Sequence, residues 1–246
     1  PIRALELAVG AVGRSRKRMV ELEAQAIADL ATSNVCKSLI GIFHASETAK
    51  KLGKGTDNFT PRKFERAGVI GAGIMGGGIA SLMAGKGIQT RMADLAPQAV
   101  ADAVALHRKS IDKKVKRRRL TRAQGTAAID HLDGTTSTTD FGNTQVVIEA
   151  VAEILEIKQK VLAGLAAQMA DDAILATNTS SLSVAAIADG IPHPERVVGM
   201  HFFNPVKAMP LVEVIQGENT SREAALEVAA LALRLEIGRA SCRERV

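Results

Sequence analysis

At 246 residues, 46% hydrophobic and 24% charged, the chain is long enough for one large domain or one and a half of typical size. Its net charge of +6 comes largely from one segment, and with 2% aromatic residues, all Phe, it offers no stacking platform, which argues against nucleic-acid binding. No apolar run approaches the about 18 to 20 residues of a membrane span, and Cys36 and Cys242 form neither a disulfide framework nor a metal-ligand spacing, so a reducing, cytoplasmic setting without a bound metal is expected. Nothing at the start has the charged and apolar regions of a signal peptide, although a chain beginning at Pro1 rather than Met does not decide that matter.

Residues 15 to 51 read as two helices around the turn Ala31-Thr32-Ser33-Asn34. Met19, Leu22, Ala26 and Leu30 share one face of the first, and Val35, Leu39, Ile42 and Phe43 follow the same spacing in the second. These stripes call for a partner, and a preceding domain is the expected one. A linker containing Lys, Gly and Pro, from Lys50 to Lys63, follows.

From Arg66 strands and helices alternate, the pattern of a doubly wound, mostly parallel α/β sheet with right-handed crossovers. Strands are expected at 66–71, 88–93, 135–138, 145–150, 173–177, 196–201 and 211–215, and helices at 74–85, 97–118, 122–130, 156–170, 183–189 and 222–235. Glu236 to Val246 interrupts an Ala/Leu-rich helical pattern, resembles the translation of a sequencing-adapter oligonucleotide, and is set aside as a non-native tail. With it removed, both ends look cut, as in an internal fragment of a longer protein.

The organising motif is Gly71, Gly73 and Gly76, spaced G-x-G-x-x-G between a short apolar strand and a helix. The first glycine permits the tight turn, the second lets a pyrophosphate approach the backbone, and the third lets helix and strand pack closely. Phosphate charge then meets the helix N-terminus, where unpaired N–H groups point outward. The next strand ends in Asp94, about twenty residues on, where a carboxylate accepts from ribose hydroxyls and repels a 2′-phosphate, favouring NAD over NADP. The domain is therefore expected to be of the Rossmann type, preceded by a helical linker.

Two further clusters sit at strand ends, the edge where open α/β sheets bind ligands. Asn178-Thr179-Ser180-Ser181 follows one strand, and His201-Phe202-Phe203-Asn204-Pro205 follows another. Glu213 interrupts the apolar strand Leu211-Val212-Glu213-Val214-Ile215, and a buried carboxylate there requires a partner. A His201–Glu213 pair would let the imidazole take a substrate hydroxyl proton while the carboxylate fixes its tautomer. His44, His107, His131 and His193 lack such neighbours and read as surface or structural.

These motifs, with Val147-Ile148-Glu149-Ala150-Val151-Ala152-Glu153, resemble the 3-hydroxyacyl-CoA dehydrogenase family over residues 66 to 235. Leu39-Ile40-Gly41-Ile42-Phe43 and Ala49-Lys50-Lys51 are similar to the linker of its fused members, the alpha subunits of multifunctional fatty acid β-oxidation complexes, which carry an enoyl-CoA hydratase first. The resemblance implies residues 1–63 as a linker from the end of a hydratase domain and 64–235 as the NAD-binding domain. It makes His201 the general base, Glu213 its orienting partner and Ser180 the contact to the substrate 3-oxygen. Asn178 and Asn204 would line the nicotinamide and substrate pocket, Glu153 and Lys158 match cofactor positions, and Asp94 matches the ribose carboxylate. The implied reaction oxidises an L-3-hydroxyacyl-CoA to the 3-oxoacyl-CoA with NAD as hydride acceptor, in an oligomeric parent associated with a thiolase subunit.

The family's further active-site Asn and its C-terminal helical domain, which covers the acyl-CoA, fall beyond this sequence. The isolated chain is thus expected to bind NAD and to turn over poorly. The basic residues Arg108, Lys109, Lys113, Lys114, Lys116, Arg117, Arg118, Arg119 and Arg122 read mostly as a solvated face, with one or two contacts to coenzyme A phosphates. Alternatives of other kinds are a dehydrogenase of a hydroxy acid without CoA and a non-catalytic NAD-binding or assembly module.

Overall fold

A computed structural model describes residues 2–52, 59–209, 211–235 and 238–243, and the chain divides into two compact units, 1–48 and 49–246. Residues 53–58 of the expected linker and 236, 237 and 244–246 of the expected tail lie outside the described residues.

The first unit contains three helices, α1 (Ile2–Gly10), α2 (Arg16–Thr32) and the start of α3 (Asn34–Leu52). Apolar periodicity predicts the second and third but not α1. Ser15 caps α2, its side chain accepting from the Arg18 amide. Ser33 both closes α2 and opens α3: its hydroxyl donates to the Leu30 carbonyl at 2.6 Å and accepts from the Cys36 amide at 3.2 Å. Of the apolar stripes, only Ala26 is buried, while Leu30, Val35, Leu39, Ile42 and Phe43 remain exposed. Three helices in this unit supply no layer that covers them. Among the described residues no single helix is long and apolar enough to cross a membrane.

Among the described residues the second unit is built on an eight-stranded sheet. Its elements are β1 (Arg66–Ile70), α4 (Ile74–Gly85), β2 (Gln89–Ala93), α5 (Pro97–Lys116), α6 (Arg122–Asp130), β3 (Leu132–Thr135), β4 (Val146–Glu149), α7 (Leu155–Ala166), β5 (Ile174–Thr177), α8 (Val184–Ala188), β6 (Val197–Phe202), β7 (Leu211–Gln216), α9 (Arg222–Arg234) and β8 (Gly238–Arg243). The order across the sheet is β3-β2-β1-β4-β5-β6-β7-β8. Strands β1 to β6 are parallel, β7 runs antiparallel to β6, and β8 is parallel to β7. The chain thus crosses from β1 outward to β3 and returns to β4, the switch point at which such sheets bind dinucleotides.

Successive residues of the central strands face opposite layers. Val69 and Ile148 pack with Ile79 and Met83 of α4 and Val228 of α9. Ile70 and Val147 pack with Leu162 and Leu165 of α7 and Ile187 of α8 on the other side. Because the inner strands are buried on both faces, they are short apolar runs rather than alternating ones.

Strand β3 occupies 132–135, not 135–138: Leu132 is buried and pairs with Thr90, while the hydroxyls beyond Thr135 form a local turn in which the Ser137 amide donates to Thr135 Oγ1 at 3.1 Å. Residues 238–243, set aside above as tail, run beside β7 with Leu211 opposite Gly238.

Candidate cofactor and active site

The β1–α4 turn assigns each motif glycine a different steric task. Gly71 has φ of +99°, the left-handed region, and a Cβ there would lie 2.5 Å from the Ala150 carbonyl oxygen. A Cβ on Gly76 would land on the Gly71 carbonyl oxygen, so α4 packs against the turn only because the side chain is missing. Gly73, the N-cap of α4, has nothing within 4 Å of its missing Cβ. It caps a helix end whose first N–H groups lack intrahelical partners and whose first turn carries no acidic residue.

Asp94 closes this turn from the end of β2. Its Oδ2 accepts from the Ala72 amide at 2.7 Å and its Oδ1 from the Ala96 amide at 2.9 Å. Both oxygens keep further lone pairs, and the half-buried carboxylate stands over the glycine turn. The open Gly73, the bare helix end and this fixed carboxylate fit a dinucleotide diphosphate with a free ribose 2′-hydroxyl.

Beside the turn, β4 and α7 hold a charged cluster. Glu149 and Lys158 are completely buried, with Lys158 Nζ 2.8 Å from Glu149 Oε1, 3.3 Å from Glu153 Oε2 and 3.4 Å from the Asn178 carbonyl oxygen. Glu153 Oε1 accepts from Thr179 Oγ1 at 2.5 Å and from the Ser180 and Ser181 amides at 2.8 and 3.2 Å. Partial burial is the largest influence on Glu153 and would raise its pKa. The Thr179 and Ser180 hydrogen bonds, the Lys158 charge and the Ser181 amide together outweigh it and hold the group at about 2, against an ordinary 4.5. Glu153 therefore fixes the loop bearing Ser180 as an anion.

Lys158 is one residue that the resemblance matches to a cofactor position. In this structure it has no exposed surface, because α7 turns it inward in line with Leu162 and Leu165, and its ammonium meets Glu149 and Glu153. Asn178 is half-buried, and its Oδ1 accepts from the Phe202 amide at 2.9 Å, tying the end of β5 to the end of β6. The side-chain NH2 of Asn178 is left for other partners. Ser180 and Asn204 are exposed, each just past the end of its strand.

The antiparallel register of β6 and β7 sets His201 directly opposite Glu213, and His201 Nδ1 lies 2.8 Å from Glu213 Oε2. Glu213 is not buried as the apolar strand suggests: its side chain is 36% exposed. Val212 and Val214 take the covered face of β7, and Glu213 alternates to the open one. A carboxylate at Nδ1 accepts that N–H and leaves Nε2 as the basic nitrogen, with the Phe203 ring 4.6 Å from the imidazole.

Sequence reasoning did not assign roles to Glu149, Thr177 or Thr179. The signal for Glu149 was present, a carboxylate ending the apolar run Val146-Val147-Ile148, and Lys158 likewise falls on the apolar face of α7. His107 is structural: Nδ1 meets Ser81 Oγ at 2.8 Å and Nε2 meets the Ala128 carbonyl at 2.9 Å, joining α5 to α4 and α6. All nine residues of the basic run are exposed, and beside them Lys207 Nζ donates to Ser110 Oγ at 3.0 Å. Among the described residues no group of His, Cys, Asp and Glu is placed to hold a metal.

Sheet order, glycine turn and strand-end carboxylate together define a dinucleotide-binding α/β domain, with the His201–Glu213 pair near the carboxyl end of β6. Residues 66–243 match the family described as 3-hydroxyacyl-CoA dehydrogenase, NAD binding domain, and the chain belongs to that family. The fatty acid oxidation complex subunit alpha of Pseudomonas entomophila is 41% identical over 235 residues, 96% of this chain and 33% of that protein. Among solved structures, 3-hydroxybutyryl-CoA dehydrogenase from Escherichia coli K12 is 35% identical with a TM-score of 0.71, over 74% of this chain and 39% of that one. (S)-3-Hydroxybutyryl-CoA dehydrogenase from Ralstonia eutropha is 36% identical with a TM-score of 0.71, over 74% of this chain and 65% of that one. The chain spans about a third of the length of the curated relatives it matches.

Proposed function

We propose that this chain is the cofactor-binding and base-carrying part of an enzyme that oxidises L-3-hydroxyacyl-CoA to 3-oxoacyl-CoA in fatty acid β-oxidation. The observation that carries the reading is the His201–Glu213 pair at 2.8 Å, set on the same carboxyl edge as the glycine turn and Asp94. Bound NAD supplies the hydride acceptor. His201 Nε2 takes the hydroxyl proton, and Glu213 stabilises the imidazolium that results. Ser180 donates to the 3-oxygen, and the Asn178 and Asn204 amides line the pocket. Asp94 receives the ribose hydroxyls, Gly71 and Gly76 shape the turn so that the pyrophosphate enters at Gly73, and Glu153 acts by holding the Ser180 loop. One or two side chains of the basic run meet the CoA phosphates.

The same reading places residues 1–63 after a hydratase domain, 64–235 as the dehydrogenase's nucleotide domain, and 236–246 as a non-native tail, all on the residue patterns quoted above. An oligomeric, cytoplasmic parent that associates with a thiolase subunit follows from the resemblance to complex-forming alpha subunits. The test is NADH formation from a 3-hydroxyacyl-CoA by the longer enzyme, with His201→Gln as comparison. Loss of turnover with NADH binding retained supports the reading. Undiminished turnover removes His201 as the base, activity confined to CoA-free hydroxy acids shifts the substrate class, and an inert intact enzyme leaves only a binding module.

A further inference from the structure

Glu149 is the last residue of β4, lies outside the proposed chemistry and is completely buried. Its carboxylate accepts from three segments: the Val151 amide at 2.7 Å, Lys158 Nζ at 2.8 Å and Thr177 Oγ1 at 2.7 Å. Its own backbone carbonyl accepts from the Asn178 amide at 2.7 Å. Val151 opens the loop that borders the glycine turn, and Thr177 and Asn178 open the loop that carries Ser180. Lys158 Nζ donates to Glu149 Oε1 and to the Asn178 carbonyl and is ion-paired with Glu153 Oε2 at 3.3 Å, so the ammonium joins the buried carboxylate to the one that grips Thr179, Ser180 and Ser181.

We infer that Glu149 is a positioning residue which, through Lys158, couples the loop after β4 to the 178–181 loop and so fixes where Ser180 stands. A buried ion pair adds little net stability when replaced as a whole, but removing one member strands the other's charge. Without a full charge on Glu149, Lys158 is drawn toward Glu153 and the Asn178 carbonyl, and both loops lose their common anchor. The inference uses the proposed function only in naming Ser180 as a substrate contact.

Backbone amide hydrogen exchange of this chain, read residue by residue by NMR without substrate, tests it. In Glu149→Gln the Val151, Ser180 and Ser181 amides should exchange at least ~10-fold faster relative to the amides of β1 and β2. Lys158→Met should show the same pattern at Ser180 and Ser181, and the double variant should be no worse there than Lys158→Met alone. Thr177→Val removes one donor and keeps the ion pair, so it carries the test with a smaller effect of the same pattern if Glu149→Gln does not fold. Acceleration by one factor throughout the sheet, or additive effects of the two substitutions, would overturn the inference. A failed dehydrogenase reading appears only in turnover and leaves this exchange pattern intact.

Discussion

Gly73 and Gly76 are three residues apart in one turn, and the structure predicts opposite consequences for the same substitution. In Gly76→Ala the new methyl meets the Gly71 carbonyl oxygen, a backbone atom that cannot rotate away. Overpacking of this kind costs about 1–3 kcal/mol, offset by at most ~1 kcal/mol of improved helix propensity. A net loss of about 1–2 kcal/mol corresponds to a fall of roughly 2–8 °C in Tm for a chain of this size. In Gly73→Ala the backbone, at φ −64° and ψ −171°, suits alanine, and no atom lies within 4 Å of the new Cβ. The poorer N-cap and the reduced entropy of the unfolded chain nearly cancel, leaving stability within about 1 kcal/mol of the wild type. The methyl does occupy the space a pyrophosphate enters, so affinity should fall at least ~10-fold, about 1.4 kcal/mol. Thermal melts by circular dichroism and NADH titration by fluorescence check both. Wild-type NADH affinity in Gly73→Ala, or a wild-type Tm in Gly76→Ala, would refute the assignment of roles within the turn.

Glu213→Gln keeps the shape of the His201 partner but removes its charge, so turnover in the longer enzyme should drop about 10²–10⁴-fold with the KM for NAD little changed; a comparable fall in NAD affinity would instead make Glu213 a binding residue. Glu153, lowered from 4.5 to about 2, contributes stability that is present above pH 4.5 and is lost as pH falls toward 2. Its side chain is 36% exposed, so solvent screening keeps that contribution small, and Glu153→Gln should flatten the acid limb of a stability–pH curve; an unchanged limb contradicts the anchoring of the Ser180 loop. His107 is pushed below its ordinary 6.5, chiefly by burial and also by the Lys207 and Lys114 charges, against the opposing Ala128 hydrogen bond. The unfolded chain therefore takes up the proton first, stability declines as pH falls below 6.5, and His107→Gln should remove that slope in urea titrations; a slope that persists would place it elsewhere.

The sequence by itself determined the alternation of strands and helices, the glycine spacing, Asp94 at the strand end and the presence of His201 and Glu213 on neighbouring apolar strands. These are local quantities: period, turn chemistry and spacing along the chain. The strand expected at 135–138 falls instead at 132–135, since the strand propensity of the threonine-rich run is local but its hydroxyls close a turn once β3 pairs with β2. The tertiary structure decided what depends on distance across the sheet. The antiparallel pairing of β6 with β7 is what sets Glu213 opposite His201 and on the open face of its strand. The burial of Lys158 between Glu149 and Glu153 is likewise invisible to a sequence motif, because one lysine on an apolar helix face acquires its partners only when β4, β5 and α7 have packed. Residue type and spacing announced a dinucleotide site; the balance of buried charge that holds its loops in place arose only from packing.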